Sequence, residues 1–155
     1  MAQRKQQQAG FTLVELVIVI LILGILSAVA LPRFFNLGIE ARKAKAEAIF
    51  GSVRAASQIV RAAALIGNAT GATGSVTLDG QAVTTVFGYP DATAAGIVTA
   101  AGLDATNDKV TVNVPAAGTV TISVNGATAA ANCRITYTVA TAAAAATAAL
   151  DNSNC

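Results

Sequence analysis

The chain lacks the residue types that active sites use most often. Its 155 residues include no histidine, no tryptophan and two cysteines, Cys133 and Cys155. Histidine is the side chain that most often transfers protons near neutral pH, so its absence argues against general acid–base catalysis. No phosphate-binding loop, paired carboxylates or cysteine nucleophile stands out either. We therefore expect no enzyme, no cofactor and no metal site.

Aromatic side chains and charges are sparse as well. Aromatic residues make up 5% of the chain and charged residues 12%, and so few aromatic rings give little support to electron conduction. The formal net charge is +2, but Arg4 and Lys5 precede Gly10, and the remaining chain carries eight basic and eight acidic residues. This balance gives no support to nucleic acid as a partner.

What the chain does have is one long apolar segment near its N-terminus. Residues 16–32 carry no charge and show no polar face, which predicts a membrane-spanning helix. Arg4 and Lys5 just before the segment predict that its N-terminal side stays cytoplasmic. Ala28-Val29-Ala30 also fits the cleavage pattern of a secretory signal peptide, which is the simpler alternative. Glu15 argues against that alternative, because a carboxylate costs about 2.5–3.5 kcal/mol at the bilayer centre.

Beyond Pro32 the chain becomes amphipathic. Apolar residues recur at three- and four-residue spacing while charged residues occupy another face, which predicts a helix ending at Ile66-Gly67-Asn68. A continuous helix from Phe11 to Ile66 would be roughly 80 Å long. We expect its second half to pack an apolar stripe on a downstream β-sheet. That stripe contains Ile39, Ala46, Ile49, Val53, Ala56, Val60 and Ala63.

Gly24 and Pro32 are weak points in the predicted helix. Proline removes one backbone hydrogen bond, and glycine costs about 1 kcal/mol relative to alanine. The simple expectation is a gentle kink, which membrane helices tolerate.

The region from residue 67 onward is predicted to be rich in β-strands. Val76–Leu78 and Gln81–Val83 flank Asp79-Gly80, a strong hairpin signal. Phe87-Gly88-Tyr89-Pro90 then interrupts the regular pattern, and we expect a packed turn there. Ala92–Leu103 has the composition of a short helix.

Three further segments alternate apolar and polar residues and are predicted to be strands. Together they predict an antiparallel sheet of about three or four strands against the long helix, an α+β architecture. The segments are Lys109–Val114, Thr119–Val124 and Arg134–Val139.

The cysteine pair lies late in this predicted domain. An even pair beyond a membrane-directed segment is typical of an exported domain with one disulfide. Linking Cys133 to Cys155 would stabilise the fold by about 3 kcal/mol in the chain-entropy model. Two free thiols are the alternative.

Charge is divided along the chain. Arg33 to Arg61 holds six basic and two acidic residues, whereas the chain from Ala62 onward holds two basic and five acidic residues. Oppositely charged halves would complement one another in a staggered array of copies. Two ordinary solvated surfaces are the alternative.

The start of the apolar segment reads Gly10-Phe11-Thr12-Leu13-Val14-Glu15 and resembles the processing site of type IV prepilins. In that family a membrane peptidase cleaves after the glycine and methylates the new amine, here that of Phe11. The resemblance implies a pilin fold, with a long helix packed on a small antiparallel sheet and a disulfide-closed C-terminal region.

The resemblance also implies four regions. They are a cleaved leader at 1–10, a transmembrane and filament-core helix at 11–32, an amphipathic helix half at 33–66, and a β-rich head at 67–155. Phe87-Gly88-Tyr89-Pro90 and the Arg134-Ile-Thr-Tyr-Thr strand after Cys133 are similar to the MSHA branch of type IVa pilins.

The function implied by the resemblance is a structural subunit of a type IV pilus on a Gram-negative bacterium, used in adhesion or motility. Its partners would be identical subunits, the prepilin peptidase and methylase, the assembly machinery of the inner membrane, and membrane lipid before assembly. The protein would pass from the inner membrane to an extracellular filament. Surface partners would meet the region that the disulfide encloses.

Glu15 has two possible roles. Thr12 and Glu15 have capping-box spacing, so the carboxylate is expected to satisfy backbone donors at the helix start. The resemblance implies instead that Glu15 pairs with the Phe11 amine of a neighbouring subunit and sets the register of the filament. It also implies that the stretch from Gly24 to Pro32 loosens in the filament.

Two other functions compete. A type II secretion pseudopilin shares the N-terminal motif, but its major type often has a calcium site in place of the terminal disulfide. Here Asp104 and Asp108 form a sparse acidic pair, which we expect to serve a turn. A monomeric membrane-anchored surface binding protein is the second alternative, and it leaves Glu15 unexplained.

Overall fold

A computed structural model describes residues 11–116 and 118–155. The chain divides into two compact units, Met1–Gly38 and Ile39–Cys155. One long helix, α1 (Leu13–Ile66), contributes residues to both units. The predicted helix is therefore confirmed, beginning two residues after the expected start and ending where expected.

Within the second unit, α1 buries most of the predicted apolar stripe; Ile39 and Ala63 are only partly buried, and Ala64 is buried in place of Ala63. Ala46, Val53 and Val60 are completely inaccessible, whereas Arg54 and Gln58 on the other face are exposed. The three- and four-residue spacing thus describes the observed buried face.

The end of α1 is closed by a Schellman arrangement. Asn68 adopts a left-handed conformation with φ 52°. The amide of Ala69 donates to the carbonyl of Ala64 at 2.8 Å, and that of Asn68 to Leu65 at 3.5 Å. These bonds satisfy carbonyls that the last helical turn leaves free, so Ile66-Gly67-Asn68 stops the helix as predicted.

A three-stranded antiparallel sheet follows, with β1 (Gly74–Leu78), β2 (Gln81–Val86) and β3 (Tyr89–Pro90). Asp79 and Gly80 have φ angles of 48° and 77°, the signature of the predicted two-residue hairpin turn. Phe87 and Gly88 repeat this geometry with 48° and 76°. The expected loss of regularity at Phe87–Pro90 is therefore wrong: the segment makes a second hairpin.

The helix expected over Ala92–Leu103 is shorter than predicted. A π-helical segment covers Ala94–Val98, and its backbone is broken at Gly96 (φ −98°, ψ −105°). A Cβ atom at Gly96 would collide with the carbonyl group of Asp91. The chain folds back too tightly here for a regular helix, and only glycine fits.

A four-stranded antiparallel sheet completes the fold. It consists of β4 (Val110–Ala116), β5 (Thr119–Val124), β6 (Arg134–Thr138) and β7 (Thr147–Asp151), in that spatial order. The first three match the predicted strands closely. The single predicted sheet is thus two sheets, and β7 is an addition that the alanine-rich sequence did not indicate.

The core lies between α1 and both sheets. Val53 of α1 belongs to one buried cluster with Ile122, Ile135 and Tyr137 of the four-stranded sheet. Farther along, Val60 and Ala64 pack with Val76 and Val83 of the three-stranded sheet. The predicted α+β architecture, with helix against sheet, is confirmed.

Candidate functional site

The residues of the predicted processing and assembly site surround the start of α1. Gly10 and the predicted leader 1–10 lie outside the described residues. Phe11 is 83% exposed, and its amide immediately precedes the first residues of the helix. Glu15 is also exposed and lies in the first turn. The described part of the site therefore places an aromatic residue and a carboxylate on the accessible surface.

Thr12 and Glu15 form a reciprocal capping box. The Glu15 amide donates to the Thr12 hydroxyl at 3.2 Å, and the Thr12 amide donates back to Glu15 Oε2 at 3.4 Å. These bonds satisfy donors that a helix start leaves without intrahelical partners. The carboxylate also lies at the positive end of the helix dipole, where a negative side chain stabilises the helix start. One of the two roles considered for Glu15 thus has a direct geometric basis in a single chain.

Beyond Glu15 the helix presents an apolar surface. An 18-residue stretch of α1 has a mean hydropathy of 2.9, and none of that stretch is buried in the structure. This stretch is long and apolar enough to cross a membrane, by length and composition. Its large exposed side chains include Leu16, Val17, Ile18, Val19, Ile20, Leu21, Ile22, Leu23, Ile25, Leu26, Val29 and Leu31.

The predicted weak points lie within α1. A Cβ atom added at Gly24 would meet nothing within 4 Å, so no close packing in the described chain demands glycine there. Three residues later the Ser27 hydroxyl donates to the carbonyl of Leu23 at 2.7 Å, a contact that often bends helices slightly. The helix assignment continues through Pro32. Loosening of this stretch in a filament stays a prediction.

Comparison with known proteins identifies this same segment. Residues 5–31 match the family model of the prokaryotic N-terminal methylation motif. Over 50 residues the chain is 52% identical to the type IV narrow pilus major component PilA5 of Thermus thermophilus. These matches support a type IV pilin.

The second match covers 32% of this chain and 43% of PilA5, so it spans less than half of that relative's length. No solved structure matches the chain. A long N-terminal helix, antiparallel sheets and a late disulfide are consistent with the pilin fold.

The C-terminal disulfide is present. Cys133 and Cys155 are joined with their Cα atoms 4.7 Å apart, and both residues are buried. Arg42 of α1 donates to the carbonyl of Cys155, and Asn152 donates to the Glu47 carboxylate at 3.0 Å. The end of the chain is therefore attached covalently to the start of β6 and by polar contacts to the helix.

Asp104 and Asp108 form a closed loop, as expected. Asp104 accepts hydrogen bonds from the amides of Thr106 and Asn107 at 2.8 and 3.1 Å. The hydrogen bonds that these amides donate, Asn107 first and then Thr106, hold the pKa of Asp104 below its usual value. The Asp108 side chain accepts from the Asp104 amide at 2.8 Å.

The side chain of Lys45 contacts this loop. The ammonium group of Lys45 donates to the main-chain carbonyl of Asp108, which joins the loop to α1. Among residues 11–116 and 118–155, no three histidine, cysteine, aspartate or glutamate side chains are close enough to hold a metal ion.

A polar junction between α1 and the β2–β3 turn was not predicted. Arg61 donates to the Phe87 carbonyl at 2.9 Å, and its guanidinium lies 4.9 Å from the centre of the Tyr89 ring. A Cβ atom at Gly88 would collide with Arg61 Nη1. The contact joins residues 26 positions apart, so periodicity could not reveal it.

Tyr137 anchors the short strand β3. Its hydroxyl donates to the Pro90 carbonyl at 2.7 Å inside the core. Burial raises the pKa of this phenol, so the neutral donor persists through the physiological range. The predicted packing of Tyr89-Pro90 therefore depends on a tyrosine from the other sheet.

Proposed function

We propose that this chain is a type IV pilus subunit that polymerises through its N-terminal helix into a surface filament. The observation that carries the proposal is an apolar helical surface with a carboxylate near its start, in a segment that matches the methylation motif. Apolar surface of this extent needs a lipid or protein environment. A subunit that moves from membrane to filament core uses both in turn.

Processing would occur between Gly10 and Phe11. The prepilin peptidase would remove residues 1–10 on the cytoplasmic side and methylate the Phe11 amine. The exposure of Phe11 and its position ahead of the first helical turn support access by such an enzyme. The inner membrane of a Gram-negative bacterium is the proposed location before assembly.

Glu15 would pair with the Phe11 amine of the next subunit. Both groups would then leave water for an apolar helical bundle, where an unpaired charge costs several kcal/mol. A register that leaves Glu15 or the amine unpaired is disfavoured by that amount. Pairing would thus select the register of the filament more than it adds to its stability.

A pilus is favoured over a secretion pseudopilus by the C-terminal region. The disulfide ties the end of the chain to the start of β6, and the Lys45 ammonium joins the Asp104–Asp108 loop to α1. These contacts hold the region in place with the protein's own side chains and backbone, without the calcium ion that the major pseudopilin type often uses. Membership of the MSHA-like branch, and use in adhesion or motility, belong to the same proposal and rest on the sequence resemblance.

The decisive experiment is N-terminal mass analysis of filaments sheared from the cell surface. We expect abundant thin fibres built from a protein that begins with N-methylated Phe11. A mature protein beginning near Leu31 would instead identify a secretory signal peptide and refute the proposal. Unprocessed monomer confined to the membrane would favour an anchored binding protein.

A further inference from the structure

The junction of Arg61 with the β2–β3 turn forms one wall of a surface cavity of about 460 Å³. That volume is within the range of small-molecule sites. The opposite wall is the alanine-rich turn that precedes β7. The cavity is lined by Arg61, Thr70, Phe87, Tyr89 and residues 141–145.

Arg61 is held in place before any ligand arrives. Its guanidinium is stacked on Tyr89 and hydrogen-bonded to the Phe87 carbonyl. Gly88 provides the space, since any side chain there would meet Arg61 Nη1. A cation fixed in this way loses little conformational entropy when it binds a ligand.

The fixed cation has no acidic partner among the described residues. Within them the one ion pair joins Lys43 to Glu40, so no carboxylate lies within 4.0 Å of Arg61. The described lining of the cavity contains no acidic residue either. Guanidinium has five N–H donors in a planar fork that matches a carboxylate. Most of these donors remain available at Arg61, because one hydrogen bond joins it to the described part of the protein.

The opposite wall is ordered and has small side chains. The Thr141 amide donates to the Ala144 carbonyl at 2.8 Å, and the Thr141 hydroxyl accepts from the Ala144 amide at 3.1 Å. Because residues 142–145 carry only methyl groups, their backbone stays accessible. The wall can therefore contact a ligand rich in hydroxyl groups.

We propose that this cavity binds an acidic saccharide, with Arg61 holding the carboxylate of a uronic-acid residue. One cation matches one carboxylate, and threonine hydroxyls with backbone groups match the hydroxyls of a sugar ring. The volume exceeds that of a lone carboxylate. The inference depends on the fold of residues 39–155 and not on filament assembly.

The test is isothermal titration of the detergent-solubilised full chain with trigalacturonate. Galactotriose serves as the neutral control, and acetate as the isolated anion. We expect trigalacturonate to bind and galactotriose to bind at least tenfold more weakly. Absence of trigalacturonate binding up to about 10 mM, or equal affinity for acetate, would overturn the proposal.

Variants locate the binding. Arg61→Gln should weaken trigalacturonate binding at least tenfold. Arg54→Gln is the matched control, because Arg54 lies two turns earlier on α1, stacks on Phe50 at 5.5 Å and does not line the cavity. It should bind like the unmodified chain. Equal affinities of these two variants would refute the assignment.

A further variant separates loss of binding from loss of folding. Ala143→Trp places a large side chain in the cavity from an exposed turn that takes no part in the Arg61 contacts to Phe87 and Tyr89. It should abolish trigalacturonate binding with an unchanged circular dichroism spectrum. Self-association that requires Arg61, without saccharide binding, would show that the cavity receives a second copy of the chain and would overturn the proposal.

Discussion

At the scale of single residues, Glu15 combines two roles that substitutions can separate. Glutamine at position 15 keeps an oxygen for the capping box with Thr12 but removes the charge. Alanine removes both. If Glu15 acts only by capping, Glu15→Gln should impair the protein less than Glu15→Ala. If Glu15 also pairs between chains, the two substitutions should be equally severe.

We expect Glu15→Gln to impair filament assembly as strongly as Glu15→Ala, with cleavage after Gly10 intact in both. The reason is that glutamine cannot neutralise the Phe11 amine in an apolar core. Filament yield by electron microscopy and N-terminal mass are the measurements. Thr12→Ala is the control: it breaks the capping box, at about 1 kcal/mol, and should still form filaments. Normal yield from Glu15→Gln would leave capping as the sole role.

Gly88 presents a second residue-scale case. Its φ is 76°, and a Cβ atom added there would also collide with Arg61 Nη1. Gly80 has nearly the same φ, 77°, but nothing within 4 Å of an added Cβ. Comparing substitutions at Gly80 and Gly88 therefore separates the cost of steric crowding from the cost of backbone strain.

Gly80→Ala should destabilise the fold by about 1–2 kcal/mol, the cost of a left-handed alanine. Gly88→Ala should cost more, because Arg61 must also move and lose its bond to Phe87. Thermal unfolding in detergent, followed by circular dichroism, gives both values. Equal losses of stability in the two variants would mean that Arg61 can move away from position 88 without a measurable cost in free energy.

At the scale of elements, α1 has different demands in its two parts. Near Gly24 nothing in the described chain requires a missing side chain, whereas Val53 and Val60 are tightly enclosed. Packing within one chain therefore does not explain Gly24. The resemblance to type IV pilins predicts that the stretch from Gly24 to Pro32 loosens in the assembled filament.

Filaments carrying Gly24→Ala together with Pro32→Ala should extend less under a given force. Alanine favours a regular helix over glycine by about 1 kcal/mol and over proline by about 3 kcal/mol. Force–extension measurement on single filaments tests this. Gly51→Ala is the matched control, since Gly51 is an exposed helix position with nothing near an added Cβ. Unchanged extensibility of the double variant would contradict the loosening.

At the scale of the whole molecule, the C-terminal region depends on ties to the rest of the fold. The segment from residue 141 to 150 contains a single large apolar side chain, Leu150. Its strand β7 lies at the edge of the sheet, paired with β6. The disulfide, the Arg42 contact to Cys155 and the Asn152–Glu47 bond compensate for that shortage of apolar burial.

Removing the disulfide by Cys133→Ser with Cys155→Ser should cost about 2–5 kcal/mol. Hydrogen exchange should show β7 losing protection before β5, since β5 is an inner strand of the sheet. Mass measurement of the unmodified chain before and after reduction provides the control for the bond itself. Equal protection of β7 in both proteins would show that its pairing with β6 suffices.

Sequence periodicity was reliable where one local rule governs several consecutive residues. The helical stripe, the Asp79-Gly80 hairpin and strands β4 to β6 follow from spacing that the neighbouring residues enforce. The capping box was visible for the same reason, because its partners are three residues apart. Processing at Gly10 and pairing by Glu15 come from the resemblance to type IV prepilins and stay predictions.

Long-range contacts decided the rest. The sequence by itself determined the long helix, its apolar start and its buried stripe, because hydrophobic periodicity and turn residues act locally. The tertiary structure alone decided that the sheet splits in two, that alanine-rich residues form β7, and that Arg61 meets Phe87 and Tyr89. The Arg61 junction depends on a partner 26 positions away, and β7 forms on an edge left open by β6. No local pattern encodes either feature.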